Sequence, residues 1–102
     1  MSLTPDGRPN DGWFGHFDTK PNAMPGLARV VGENIRARYP TDCVYLDVHT
    51  NWGADARDYE AGVEGAGTAR GTILGNAACL REVHSQQHAL CSEGICRWLY
   101  AG

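Results

Sequence analysis

The chain has 102 residues, 42% of them apolar and 21% charged, with a formal net charge of −3. That length holds one small domain or part of a larger one, and the balance of apolar and charged residues argues against whole-chain disorder. The nine Lys and Arg residues are scattered, without the basic footprint of a nucleic-acid partner, and no apolar run approaches the roughly 18 residues of a membrane span.

Residues 1–12 are rich in Pro, Gly, Asp and Asn and read as an irregular lead-in. Met1-Ser2-Leu3-Thr4-Pro5-Asp6 carries neither a charged nor an apolar stretch of signal-peptide type, so no such peptide is visible there. Trp13-Phe14-Gly15-His16-Phe17-Asp18-Thr19 is aromatic and β-prone, and an extended course puts His16 and Asp18 on one side. Residues 20–25 form a turn into a helix, with Pro25 tolerated in its first turn. Leu27, Val31, Ile35 and Tyr39, joined by Val30, give a stripe at helical spacing through Arg38, with Arg29, Glu33, Arg36 and Arg38 on the polar side. Pro40 stops this helix.

The next stretch, Cys43-Val44-Tyr45-Leu46-Asp47-Val48-His49-Thr50, alternates strictly. Val44, Leu46 and Val48 point one way and Tyr45, Asp47 and His49 the other. One face suits packed helices; the other carries a carboxylate and an imidazole, which a core strand does not bury without partners. A βα-barrel strand whose C-terminal end enters an active site reads this way. Residues 51–67 form a long loop holding Asp55, Asp58, Glu60 and Glu64, acids expected on the solvated surface, with Asp58 the best placed to meet a substrate. Thr68 is a candidate N-cap. Ile73, Ala77, Leu80 and Val83 with His84 form a second stripe, weakened at Gly71 and Gly75 by about 1 kcal/mol each relative to Ala. A short strand follows in His88-Ala89-Leu90-Cys91-Ser92-Glu93-Gly94.

This order predicts an α/β fold with parallel strands joined by crossover helices. Closing an eight-stranded barrel takes ~250 residues, so about two to three βα units over residues 13–102 are expected to be part of a (β/α)8 TIM barrel. The rival is a complete small α/β domain. Cys43, Cys79, Cys91 and Cys96 show no paired C-x-x-C set, and the expectation is small buried hydrophobes.

Several residues suit chemistry. Asp47 and Glu93 fall near the C-terminal ends of successive predicted strands, the rim where barrel enzymes gather catalytic groups. Two carboxylates there can span the ~5–5.5 Å of a retaining glycosidase pair or the wider inverting gap; spacing alone does not separate these, and an N-cap or an ion pair with Arg97 or Lys20 is the structural alternative. His16, Asp18, Asp47 and His49 make a second constellation able to hold a divalent metal; without metal, His49 and His16 hydrogen-bond sugar hydroxyls or orient Asp47. Trp13, Phe14, Trp52, Trp98 and Tyr100 lie beside the predicted strand ends, where aromatic faces stack on pyranose rings; ordinary packing is their alternative role, least so for Trp52 in its polar loop.

Three motifs, Gly15-His16-Phe17-Asp18-Thr19-Lys20-Pro21, Tyr45-Leu46-Asp47-Val48-His49-Thr50 and Cys91-Ser92-Glu93-Gly94, resemble a set of bacterial (β/α)8-barrel glycoside hydrolases related to the endo-α-N-acetylgalactosaminidases. Asp58-Tyr59-Glu60, Gly65-Ala66-Gly67-Thr68-Ala69-Arg70 and Trp98-Leu99-Tyr100-Ala101-Gly102 extend the likeness, which runs from about Gly12 onward. The resemblance implies a retaining mechanism on α-linked glycosides without a cofactor. Asp47 falls on the nucleophile and Glu93 on the general acid/base, while Asp18, His16 and His49 line the sugar subsite. The carbohydrate is the expected partner, with Trp52, Asp58 and Trp98 as further contacts. Two other functions fit the same residues: a metal-dependent hydrolase using His16, Asp18, Asp47 and His49, or a non-catalytic carbohydrate-binding segment resting on Trp52 and Trp98.

Overall fold

The computed structural model describes residues 1–11, 13–46, 57–87 and 89–92. Within them lie helix α1 (Met24–Arg38), strand β1 (Cys43–Leu46), helix α2 (Ala69–Gln86) and strand β2 (Ala89–Ser92), preceded by a 3-10 turn at Trp13–Gly15. The strands pair in parallel, Cys43 opposite Ala89, Val44 opposite Leu90, Tyr45 opposite Cys91 and Leu46 opposite Ser92. The α/β class and the parallel pairing of the two strands across α2 are as the sequence predicts.

Local chemistry accounts for the helix ends. Pro25 occupies the first turn of α1, where its missing N–H would have no intrahelical acceptor anyway. At the other end Tyr39 is already extended (φ −130°, ψ 127°), as the residue before a proline prefers, and its N–H closes on the Ile35 carbonyl at 2.8 Å. Thr68 is extended (φ −108°, ψ 143°), and its Oγ1 accepts from the Gly71 N–H at 3.0 Å. That bond satisfies one of the orphan donors of α2.

The faces on which the helices pack differ from the predicted stripes. In α1 the buried residues are Ala28 and Gly32, whereas Leu27, Val30 and Val31 are each more than half exposed. Tyr39, just beyond the helix, is exposed as well. In α2 the buried line is Thr72, Gly75, Cys79 and Val83; Ile73, Ala77 and Leu80 flank it half-buried, and His84 is exposed. Close approach is the reason. A Cβ on Gly75 would stand 2.5 Å from the Pro21 Cβ and 2.6 Å from its carbonyl oxygen, and one on Gly32 would stand 3.0 Å from Gln86 Oε1. The helices and the turn before α1 are near enough that only small residues fit between them, which pushes the larger aliphatic side chains to the flanks.

Ala28, Cys79 and Val83 form the buried apolar centre, with Met24, Val44, Leu46 and Leu90 packed against it. Val44, Leu46 and Leu90 therefore point toward the helices. Tyr45 is 57% exposed, and Cys43 and Cys91 share its open face of the sheet. The alternation through β1 agrees with the sequence. The expectation of buried cysteines holds for Cys79 and fails for Cys43 and Cys91, which are exposed, because odd-numbered positions of both strands face away from the helices; Cys96 lies outside the described residues.

Residues 13–19 do not form the predicted strand. Phe14 (φ 55°, ψ 37°) and Gly15 (φ 74°) both adopt left-handed backbone, which turns the chain instead of extending it. What remains is an isolated antiparallel bridge between Asp11 and Phe17. The lead-in is likewise tied down: Leu3 bridges Pro9, the Ser2 N–H donates to the Asp18 carbonyl at 2.7 Å, and the Asn10 N–H donates to the Ser2 carbonyl at 3.0 Å. Among the described residues no helix is long and apolar enough to cross a membrane.

Candidate functional site

The parallel pairing of β1 and β2 ends with Leu46 opposite Ser92. In sequence the next residues are Asp47 and Glu93. Both lie outside the described residues, as do His49, Trp52 and Trp98. The candidate residues that are described are His16, Asp18 and Asp58, and β1 and β2 lead in sequence to Asp47 and Glu93.

His16 is exposed just after the 3-10 turn, and Asp18 is half-buried. Both main-chain groups of Asp18 are engaged: its N–H donates to the Asn10 carbonyl at 3.3 Å and its carbonyl accepts from Ser2. The following residue pair, Ser2 and Leu3, links this strip to the long loop. The Leu3 N–H donates to Asp58 Oδ1 at 2.8 Å, and the Tyr59 N–H returns a bond to the Leu3 carbonyl at 2.9 Å. Asn10 Nδ2 adds a bond to the Arg57 carbonyl at 3.1 Å. Asp18 and Asp58 are thus brought to neighbouring positions on either side of Ser2 and Leu3, although 40 residues separate them in sequence.

Asp58 is 5% exposed, not a solvated loop acid as its surroundings in the sequence suggest. Its Oδ1 accepts from Leu3 and, at 3.3 Å, from the Glu60 N–H, while its own carbonyl accepts from the Gly67 N–H at 2.6 Å. A buried carboxylate requires such donors. Glu60 is also engaged, in an ion pair with Lys20. Lys20, Asp18 and His16 belong to one sequence motif, so the structure joins that motif to the loop at 57–60 directly by a salt bridge and indirectly through the bonds of Ser2 and Leu3.

Beside Asp58 lies an open cleft of about 630 Å³ between Pro21, the loop around Val63 and Gly65, and the first turns of α2 at Arg70 and Leu74. Its walls are largely apolar, and Asp58, Glu64 and Arg70 supply its charged groups. Among the described residues no group of three or more His, Cys, Asp and Glu side chains is placed to hold a metal ion. Of the four residues considered for a metal, His16 and Asp18 are described, and Asp47 and His49 are not.

One juxtaposition was not foreseen from sequence. Cys43 and Cys91 bring their sulfur atoms within 3.5 Å of each other on the open sheet face. The signal available was their shared parity with Tyr45, opposite to Val44 and Leu46; the missing information was the strand register. Sharing a hydrogen bond with Cys43 pushes the Cys91 thiol pKa up, and burial does the same to Cys79.

No family model, no curated protein and no solved structure matches this chain.

Proposed function

We propose that this chain is a segment of the catalytic (β/α)8 barrel of a retaining glycoside hydrolase acting on α-linked glycosides, with Asp47 as nucleophile and Glu93 as general acid/base. The observation that carries the proposal is the register of the sheet. β1 and β2 are adjacent, parallel and in step up to Leu46 and Ser92, and a carboxylate follows each of those partners in sequence. Neighbouring strands lie ~4.8 Å apart, which is compatible with the ~5–5.5 Å carboxyl separation of retaining enzymes. Continuing the alternation by one residue in sequence gives Asp47 the parity of Tyr45 and Glu93 that of Cys91, and Tyr45 and Cys91 stand on the face left open by the helices. In a closed barrel the helices lie outside, so the open face is the one that turns inward.

Ionised Asp47 attacks the anomeric carbon while Glu93 protonates the departing glycosidic oxygen. Glu93 then takes a proton from the water that hydrolyses the glycosyl-enzyme, returning both carboxyls to their starting states. His16, Asp18 and His49 serve the sugar hydroxyls, and Trp52 and Trp98 stack on the ring. Asp58, held by Leu3 and Glu60, supports the strip that carries Asp18. Two βα units are about a quarter of an eight-unit barrel, so activity is assigned to the closed barrel and not to these residues alone.

The test is Asp47→Ala in the barrel enzyme carrying this segment. Aryl α-glycoside hydrolysis is lost, and added azide restores turnover with a glycosyl azide of inverted configuration. Unchanged hydrolysis by Asp47→Ala removes Asp47 from the mechanism. A variant that still binds oligosaccharide while both it and the wild type fail to turn over glycosides identifies a binding segment instead.

A further inference from the structure

We propose that Cys43 and Cys91 are a redox-active dithiol that closes into a disulfide across β1 and β2 by exchange with a low-molecular-weight disulfide. The inference concerns this 102-residue chain, whose sheet face is open; it draws nothing from the glycosidase proposal, in whose closed barrel that face would turn inward and shield the pair. It rests on the sheet geometry of the described residues.

Four observations converge on it. The sulfur atoms lie 3.5 Å apart, with one thiol hydrogen between them, so a disulfide bond of ~2.0 Å needs an approach of about 1.5 Å. The register sets both on one face of adjacent strands, two residues out of step, since Cys43 pairs with Ala89 and Cys91 with Tyr45; closure therefore draws the strand backbones together as well as the sulfurs. Both thiols also point toward one carbonyl, that of Val44, with sulfur–oxygen distances of 3.9 Å for Cys43 and 3.8 Å for Cys91. Both are exposed, whereas Cys79 is buried. An oxidant therefore reaches the pair and not the third cysteine.

The chemistry balances without a further reagent. The thiol that ionises first attacks one sulfur of oxidised glutathione, forming a mixed disulfide and expelling one glutathione thiolate. The second cysteine, as thiolate, attacks the protein sulfur of that mixed disulfide and expels the other. Two protons and two electrons leave the protein dithiol, and one glutathione disulfide becomes two glutathione thiols. Because the two thiols share a hydrogen bond, their ionisation belongs to the pair and not to either residue. Loss of the first proton frees the neighbour to stabilise the thiolate by donating its own.

Closure ties β1 to β2 on the face opposite the helices. It cross-links residues 48 positions apart in sequence, a large loop whose closure restricts the unfolded chain. Oxidation is thus expected to stabilise the two-stranded pairing immediately before Asp47 and Glu93 in sequence.

The experiment takes the reduced 102-residue chain through oxidised glutathione, alkylates the remaining thiols, and maps peptides under non-reducing conditions by mass spectrometry. The expected product is a Cys43–Cys91 cross-linked peptide lighter by two hydrogens than its reduced parts, with Cys79 still alkylated and the bridge lost on adding dithiothreitol. Cys96→Ser keeps that bridge. Cys43→Ser stops at the glutathione adduct of Cys91, and Cys91→Ser at that of Cys43. A dominant bridge to Cys96, stable glutathione adducts on both Cys43 and Cys91 of the wild type, or the same mixture of bridges in guanidinium as in buffer would overturn the proposal.

Discussion

Gly75 offers the sharpest test of how the helices pack. A glycine inside a helix costs about 1 kcal/mol relative to alanine, so Gly75→Ala should stabilise α2 if nothing stood in its way. The structure places Pro21 there: the new Cβ would meet the Pro21 Cβ at 2.5 Å, its carbonyl oxygen at 2.6 Å and its carbonyl carbon at 2.7 Å. Carbon atoms in good contact sit at about 3.5–4.0 Å, so the turn before α1 must retreat by about 1 Å. Two of the three atoms are backbone and the third belongs to a closed ring, and none can rotate aside. Overpacking of this kind costs about 1–3 kcal/mol. With the contact so short, the upper half of that range applies, and after the propensity gain the net loss is about 1–2 kcal/mol.

Two other glycines in helices calibrate the measurement. Gly26 in α1 has nothing within 4 Å of a built Cβ, so Gly26→Ala should gain about 0.5–1 kcal/mol. Gly32 meets only the end of the Gln86 side chain, at 3.0–3.1 Å; that end can shift, and Gly32→Ala should come out near zero. Urea denaturation followed by circular dichroism reads the series, with m unchanged across it. Thermal midpoints should follow at about 4–8 °C per kcal/mol for a domain of this size. If Gly75→Ala matches or exceeds the wild type while Gly26→Ala stabilises, the close approach of α2 to Pro21 is refuted.

Two further outcomes follow from the loop contacts. Asp58→Ala leaves the Leu3 and Glu60 N–H groups without the carboxylate oxygen they share and should cost about 1–3 kcal/mol; Asp58→Asn keeps an acceptor and loses less, and faster amide exchange at Leu3 and Glu60 in the alanine variant checks the cause. Asp6 accepts from the Thr4 hydroxyl and the Arg8 guanidinium, which together hold its carboxyl below the usual carboxylate range. A folded pKa below the unfolded one contributes stability that is present above the unfolded value and lost as pH falls through the folded value; an NMR titration should give Asp6 a lowered midpoint that rises in Thr4→Val, and an unshifted midpoint in the wild type counts against both bonds.

Where an element's cause is local, the sequence carried it. Pro25 and Pro40 bracket α1, Thr68 caps α2, and alternation through Val44, Tyr45 and Leu46 separates the covered face of β1 from the open one. The helix faces were not legible, because Leu27, Val30 and Val31 draw a hydrophobic stripe while close packing selects Ala28 and Gly32 instead. Gly71 and Gly75 read as weaknesses of α2, yet each fills a place where a side chain would collide, Gly71 with the Gly65 carbonyl. Asp58 looked solvated because its donor Leu3 lies 55 residues away in the chain. Residues 13–19 have β-prone composition, but left-handed backbone at Phe14 and Gly15 decides their course.

The sheet divides the chain into a side that holds the fold and a side that is open to chemistry. Among the described residues Val44, Leu46 and Leu90 pack against a small buried apolar centre of Ala28, Cys79 and Val83, and polar ties such as Asp58 to Leu3 and Lys20 to Glu60 add to the order. Parallel sheets are ordinarily covered on both faces, yet Cys43, Tyr45, Ala89 and Cys91 stand exposed. Substitutions at Gly75 or Asp58 should therefore move the unfolding midpoint. Those at exposed Cys43 or Cys91 should move thiol chemistry and leave the reduced chain's midpoint nearly unchanged, since surface substitutions usually fall within about ±0.5 kcal/mol.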